Sequence, residues 1–167
     1  MLQHIAFWLW DFLGHLHPLA VHFPVALLLF AAILELFTLK NFNSKLRSGI
    51  DALLIAGSLG AIISATLGWL LYQDGDYSGD VLTLHQWIGF TTAALGVLTL
   101  AFLYQIRKKD KFKQIKVYRG LLFSTAIGVS VAGHFGANLT HGSDFLSSTL
   151  TWSKDYETKD SDNFSLV

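Results

Sequence analysis

The chain has 167 residues and no cysteine; 52% of the residues are hydrophobic, 14% are charged, and basic and acidic residues balance at 12 each. A soluble domain carries roughly a quarter charged residues, so this composition favours a lipid environment, and the balanced charge gives no reason to expect a nucleic acid partner. The lack of cysteine excludes disulfides, iron–sulfur clusters, thiolate zinc sites and covalently attached c-type haem.

The first 16 residues are apolar, but a membrane span needs about 20 such residues. Trp8 and Trp10 lie in this segment, and aromatic side chains are typical of helices that lie in the membrane interface. We therefore expect residues 1–16 to form a short interfacial helix rather than a span.

Four longer apolar stretches follow, and each is long enough to cross a bilayer: residues 18–39, 50–72, 81–106 and 117–139. Short connections make consecutive helices antiparallel neighbours. The sequence thus predicts an all-α, integral membrane, up-down four-helix bundle over residues 17–146. Residues 147–167 are polar and acidic, and we expect them to be an exposed tail.

Basic residues indicate the orientation of this bundle. Ten of the 12 lysines and arginines lie in the segments 40–47 and 107–119, which fall on one side of a four-span protein. Such an excess marks the cytoplasmic side of a membrane protein. We expect a multi-pass protein of a bacterial inner membrane, with cytoplasmic basic loops and both termini in the periplasm.

Two acidic features leave alternatives open. Residues 74–81 follow the first positions of a calcium loop, but its twelfth position should be a bidentate Glu and is His85. An acidic, glycine-rich turn is the simpler interpretation. Glu35 lies near the inner end of the first span, where it could handle protons for quinone chemistry or, more simply, pair with Lys40. The sequence reveals no internal repeat, no Ser/His/Asp constellation and no nucleotide fingerprint.

Seven histidines all fall at the outer end of the predicted bundle: His4, His15, His17, His22, His85, His134 and His141. An imidazole inside a membrane is costly unless it has a partner, and neutral imidazole is a common ligand of haem iron, zinc and copper. A simpler explanation is that the rings cap helix ends or form hydrogen bonds at an aqueous interface. Because His22, His85 and His134 approach from three helices, we favour a ligand role.

Glycines accompany the histidines of the third and fourth spans: Gly89 follows His85, and Gly133 and Gly136 flank His134. Close helix packing explains many such glycines in membranes. Beside an interior histidine, glycines favour a flat, bulky ligand that needs room against the backbone. A zinc or copper ion needs no such room. We therefore predict haem b, as one or two groups, with iron ligands on different helices drawn from four candidates: His17, His22, His85 and His134.

Three motifs carry a family resemblance: HPLAVHFP at 17–24, LHQWIG at 84–89 and GHFGANLTHG at 133–142. They resemble a family of small bacterial membrane proteins called domain of unknown function 2231, whose members are often fused to, or encoded beside, c-type cytochromes. The resemblance covers roughly residues 14–146. It implies a four-span protein similar to small diheme b-type membrane cytochromes, with the motif histidines at the same four positions. The chain has no CxxCH motif, so a c-type partner would be a separate subunit.

These observations together predict a membrane b-type cytochrome subunit. It would transfer electrons between membrane quinol, or another haem subunit, and a periplasmic c-type cytochrome. We expect an electron-transfer subunit of an oxidoreductase complex rather than an independent enzyme. The alternative is a structural or assembly subunit of a membrane complex, in which the histidines are structural or hold zinc or copper.

Overall fold

A computed structural model of the chain describes residues 2–39, 44–75, 78–108 and 114–142. The described residues form six helices: α1 Leu2–His15, α2 His17–Ala20, α3 His22–Phe37, α4 Ser44–Asp74, α5 Asp80–Lys108 and α6 Ile115–His141. Four helical segments are long and apolar enough to cross a membrane: Trp8–Phe37, Lys45–Gln73, Asp80–Lys108 and Ile115–His141. The all-helical fold with four candidate spans is thus confirmed. The acidic turn at 74–81, with its calcium-loop alternative, lies partly outside the described residues, and the tail at 147–167 lies wholly outside them.

Helices α1, α2 and α3 follow one another almost without interruption. Single residues, Leu16 and Val21, separate them, and each break comes shortly before a proline. Pro18 occupies the first turn of α2, a position that suits its fixed backbone angle. Pro24 cannot donate a hydrogen bond to the carbonyl four residues earlier, so it weakens the helix at this point. The first candidate span therefore begins earlier than the sequence predicted, at Trp8 rather than residue 18.

The long helix α4 runs back along this broken helix from end to end. A Cβ atom added at Gly14 would lie 2.7 Å from the backbone nitrogen of Leu71, and one added at Gly57 would lie 2.8 Å from Leu28 Cγ. Close antiparallel packing of this kind is what small residues permit between membrane helices. We call α2, α3 and α4 the first hairpin, and α5 and α6 the second hairpin. Contacts of α3 with α6 and of α4 with α5 close the ring of four.

The two hairpins are structural repeats of each other, offset by 68 residues. Buried positions of the first hairpin coincide with buried positions of the second after this shift. In α3 and α5 the pairs are Pro24 and Thr92, Leu28 and Gly96, Ala31 and Thr99, Glu35 and Leu103, and Thr38 and Ile106. In α4 and α6 they are Ile50 and Tyr118, Leu54 and Leu122, Gly57 and Thr125, Ser58 and Ala126, and Ala61 and Val129. The expectation that the chain holds no internal repeat is therefore wrong.

Equivalent helices of the two hairpins run in the same direction, so a pseudo-two-fold axis runs along the centre of the bundle. Individual contacts obey it as well: a Cβ at Gly60 would meet Pro24, and a Cβ at Gly128 would meet Thr92, the residue equivalent to Pro24. The repeat is difficult to detect from the sequence, because few positions 68 residues apart carry identical residues. Identical pairs include His17 and His85, Leu53 and Leu121, Leu54 and Leu122, Gly60 and Gly128, and Gly68 and Gly136.

A buried ion cluster connects the helices at the end of the bundle that faces the basic loops. We call this end the arginine end. Glu35 is fully buried and accepts hydrogen bonds from Arg47 at 2.6 and 3.0 Å and from Arg119 Nε at 2.7 Å. The Thr38 hydroxyl donates to the same carboxylate at 3.0 Å. Asp51 pairs with Arg107. These contacts connect all four spans, and buried charges in membranes need such partners.

This cluster also answers the question that the sequence left open about Glu35. Both of its carboxylate oxygens are engaged by guanidinium groups, Arg47 from the first hairpin and Arg119 from the second. The expected partner, Lys40, lies outside the described residues. Ion pairing within the bundle therefore accounts for Glu35, and the proton-handling role stays an untested alternative.

Candidate metal centre

Two of the seven histidines meet at the opposite end of the bundle, which we call the histidine end. His17 begins α2, and His85 lies in the second turn of α5. These residues occupy equivalent positions of the two hairpins, and both rings are half-buried. Their centroids are 6.2 Å apart, and the ring planes cross at 72°. The two imidazoles thus face each other across the pseudo-two-fold axis.

Each of these rings is anchored by the same kind of hydrogen bond. Nδ1 of His17 donates to the carbonyl oxygen of Ser64 at 2.9 Å, and Nδ1 of His85 donates to that of Ala132 at 3.0 Å. A carbonyl can only accept, so the proton of each neutral ring is on Nδ1. Nε2 then keeps its lone pair, which is the arrangement that fixes the tautomer and orientation of metal-binding histidines.

Glycines on the neighbouring helices make room for both rings. A Cβ at Gly68 would lie 2.8 Å from Cε1 of His17, and a Cβ at Gly136 would lie 3.1 Å from Cε1 of His85. The space at Gly136 is thus filled by the histidine of the other helix, rather than reserved for a ligand as the sequence suggested. Gly89 and Gly133, in contrast, face open space, since a Cβ there would meet nothing within 4 Å.

The spacing of the two rings fits a metal held between them from opposite sides. With a metal–nitrogen distance of about 2 Å, each ring centroid lies about 3 Å from the metal, so two trans ligands have centroids roughly 6 Å apart and two tetrahedral ligands about 5 Å apart. The measured 6.2 Å is compatible with two ligands of one metal and equally with an ordinary edge-to-face contact between two rings. Within the described ranges, no group of three or more His, Cys, Asp or Glu side chains could hold a metal ion. Haem iron can be held by one or two protein ligands, and a pair of histidines would be enough to hold it.

Two unpartnered polar atoms belong to residues that are close in sequence or in contact with the pair. Nε2 of Gln86, the residue next to His85, is buried without a hydrogen-bond partner, and so is Oγ of Ser64. Buried polar groups of a protein normally have a partner, so each such atom calls for an explanation. An amide donor of this kind suits a carboxylate, the anionic group that haem carries at its edge.

The other two candidate ligands, His22 and His134, are not brought to the axis. Both are exposed. His134 lies on the side of α6 that carries the strongly exposed Ile127, and its Nε2 accepts a hydrogen bond from Asn138 Nδ2 at 3.3 Å. Residues equivalent to His22 and His134 in the other hairpin are Phe90 and Thr66, so neither histidine has a counterpart. The ligand role of these two remains a prediction.

Sequence reasoning found the two histidines but missed the groups that hold them. Ser64 and Ala132 act through backbone carbonyls, which no side-chain pattern reveals. Gly68, which accommodates His17, has no signal in the local sequence that links it to that residue. The 68-residue offset between the identical pairs His17 and His85, and Gly68 and Gly136, is the signal that would have linked them.

Comparison with known proteins identifies the family. Residues 14–144 match the profile of the family described as "Predicted membrane protein (DUF2231)", and the chain belongs to that family. No curated protein and no solved structure matches the chain. The resemblance drawn from the sequence motifs is therefore confirmed, while the association with cytochromes remains a prediction. The matched region contains both hairpins and both anchored histidines.

Proposed function

We propose that the chain is a b-type cytochrome subunit of a membrane electron-transfer complex. The observation that carries this proposal is the pair His17 and His85. The two rings are related by the pseudo-two-fold axis, are anchored at Nδ1 by backbone carbonyls, and have centroids 6.2 Å apart, so together they could hold one metal centre. A planar group centred on the axis is the ligand class that such a pair suits best.

The residues of the chain would perform three tasks at this site. His17 and His85 would provide the axial nitrogens, and the carbonyls of Ser64 and Ala132 would keep those nitrogens available for iron. Gln86 would donate to a carboxylate at the edge of the group. Bound haem supplies one-electron oxidation and reduction of its iron, and the protein tunes the potential through ligands, hydrogen bonds and burial. One axial pair accounts for one haem.

The position of the site near one end of the bundle supports a proposal for its partners and location. We propose a bacterial inner membrane protein whose histidine end faces the periplasm, where a c-type cytochrome can approach. Membrane quinol or a haem of another membrane subunit would be the second redox partner. Since the ligand pair lies at one end, electron transfer across the whole membrane would need that neighbouring subunit.

Absorption spectroscopy on the purified protein tests the proposal. The full chain, expressed in haem-replete cells and purified in mild detergent, should show a sharp α-band of a b-type haem after reduction with dithionite. A pyridine haemochrome assay should give one haem for each chain. Two haems would bring His22 and His134 back as a second ligand pair.

A colourless preparation from the same cells would contradict the proposal. Metal analysis would then separate the two forms of the alternative. Stoichiometric zinc or copper would make His17 and His85 ligands of an ion, and a metal-free protein would leave them as structural side chains of an assembly subunit.

A further inference from the structure

The outer face of α5 changes from apolar to basic as it approaches the arginine end. Val97, Ala101, Tyr104 and Lys108 follow one another at spacings of four, three and four residues, so they lie on one side of the helix. All four are exposed, and the exposed fraction of Tyr104 is 64%. Since α5 is a candidate membrane span, lipid is the neighbour that this face meets.

Lys108 and Tyr104 form a cation–π contact at the end of this face. The ammonium nitrogen lies 5.8 Å from the ring centroid. Such a contact holds the charge beside the helix instead of letting the long side chain extend into water. The ring and the ammonium therefore present an apolar surface next to a positive charge, a combination that suits the boundary between acyl chains and headgroups.

Arg107 supplies a second positive charge next to Lys108. Its Nη2 pairs with Asp51, but among the described residues no acceptor forms a hydrogen bond with its Nε or Nη1. The exposed fraction of the side chain is 48%, against 11% for Arg47 and 20% for Arg119. The pair with Asp51 fixes the guanidinium at the surface, so its remaining N–H groups are pre-oriented for an anion.

The ion cluster at the arginine end also has surplus positive charge. In the part of the chain that the structure describes, it combines three guanidinium groups, Arg47, Arg107 and Arg119, with two carboxylates, Glu35 and Asp51. Charges within a membrane protein need partners, and Arg107 is the member of the cluster that reaches the surface. The helix dipole favours positive charge in the last turn of α5, but it explains neither this surplus nor the exposed ring beside it.

The first hairpin lacks this combination at its equivalent positions. Residues equivalent to Tyr104 and Arg107 are Leu36 and Leu39, which are exposed and apolar. The repeat therefore provides a comparison, in which one helix carries an aromatic and basic face and its equivalent carries an apolar one.

We propose that this face of α5 binds one anionic phospholipid. Arg107 and Lys108 hold the phosphate by charge-assisted hydrogen bonds, and an acyl chain lies along Tyr104, Ala101 and Val97. Because the exposed apolar side chains continue directly from the basic pair, the face suits a lipid rather than free phosphate. The binding involves no haem, so it is independent of the proposed electron transfer.

Thermal unfolding in mixed micelles tests the proposal. The full chain, purified in a neutral detergent with phosphatidylcholine, is titrated with phosphatidylglycerol, and the unfolding temperature is measured at each step. We expect a saturable rise for the wild type, and native mass spectrometry should show one phosphatidylglycerol retained for each chain. Inorganic phosphate at the same concentration should leave the unfolding temperature unchanged, and an equal rise with phosphate would overturn the assignment to a lipid.

Single substitutions separate a defined site from general attraction to anionic lipid. Lys108→Gln leaves the ion cluster intact and should weaken phosphatidylglycerol binding about fivefold, the usual contribution of one basic residue near a membrane surface. Arg107→Lys keeps a charge opposite Asp51 but removes the planar fork, and Tyr104→Leu introduces the leucine that the first hairpin has; both should also weaken binding. Lys116→Gln removes another exposed charge at the same end and should bind like wild type. Full binding by Lys108→Gln, an equal loss in Lys116→Gln, or no lipid-dependent rise in the wild type would overturn the proposal.

Discussion

At the histidine end, the first and second hairpins place the same side chain in the same surroundings. His17 and His85 each donate to a helix carbonyl and each lie against a glycine. At the arginine end, equivalent positions carry different chemistry. Glu35 corresponds to Leu103, Arg47 to Ile115 and Asp51 to Arg119. The repeat is thus closely kept around the candidate metal centre and lost around the ion cluster.

This difference separates two demands on the bundle. A ligand on the axis meets both hairpins in the same way, so it favours equivalent groups from each. An ion cluster needs opposite charges, and two identical halves would place like charges opposite each other. Both buried acids, Glu35 and Asp51, belong to the first hairpin, while Arg107 and Arg119 belong to the second. Asymmetry at this end therefore ties one hairpin to the other.

The largest expected effect is the loss of haem when either histidine of the ligand pair is replaced. His17→Ala and His85→Ala should each abolish haem binding, because each removes one of the two imidazoles that would hold the group. Equal loss in both variants would support the two-fold site, as measured by haem content of the purified protein. His22→Ala and His134→Ala serve as controls and should keep the full haem content. Retention of haem by His85→Ala would remove that residue from the ligand set.

Glu35→Gln should give the largest loss of stability at the arginine end. Breaking a buried ion pair typically costs about 3–5 kcal/mol, because it leaves a charge without compensation. Here Arg47 and Arg119 would both lose their carboxylate. Leu103→Met at the equivalent position of the second hairpin conserves volume and should cost less than about 1.5 kcal/mol. Equilibrium unfolding in mixed micelles measures the loss of unfolding free energy in both variants. Equal losses would contradict a stabilising role for the asymmetric ion cluster.

Glycine substitutions should reveal a smaller difference within the histidine end. Groups that orient a metal ligand typically change affinity by about 10–100-fold when they are altered. The loss of haem affinity should be near the upper limit of this range for Gly68→Ala and near the lower limit for Gly136→Ala. The reason is that the added Cβ would lie 2.8 Å from the ring of His17 but 3.1 Å from that of His85. Haem titration of the apoprotein measures both affinities. Gly133→Ala faces open space, and a comparable loss there would show that the ring contacts are irrelevant.

Ser64→Ala should have the smallest effect on haem binding. It converts the residue into its equivalent, Ala132, and leaves the carbonyl that anchors His17 in place. We expect unchanged haem affinity and an unchanged reduced spectrum. A clear loss of affinity would mean that the Ser64 hydroxyl, rather than the backbone, positions the ring.

Sequence patterns were sufficient for the architecture and for part of the site. The length and hydropathy of the four apolar stretches predicted the spans, because a bilayer demands about 20 apolar residues from any helix that crosses it. The placement of all histidines at one end followed from the same topology. Which way each side chain faces on its helix did not follow, and for this reason His22 and His134 were grouped with His85.

The remaining features depend on contacts between residues far apart in the chain. Glu35 and Arg119 are 84 residues apart, and no local pattern predicts that pair. His17 and His22 are five residues apart and lie on different sides of the broken helix, His17 half-buried and His22 exposed, so grouping them by sequence proximity could not place both rings. The repeat escaped notice because packing positions rather than residue identities are what the two hairpins share.

The division of charges between the hairpins has a consequence for how the protein is made. During synthesis the first hairpin enters the membrane before the second has left the ribosome. Glu35 and Arg47 can neutralise each other at once, since both belong to it, whereas Asp51, one turn from Arg47 in α4, makes its own ion pair with Arg107 of α5. The first hairpin therefore carries a carboxylate, Asp51, whose ion-pair partner belongs to the second hairpin. This pair favours the correct association of the two hairpins before a ligand binds.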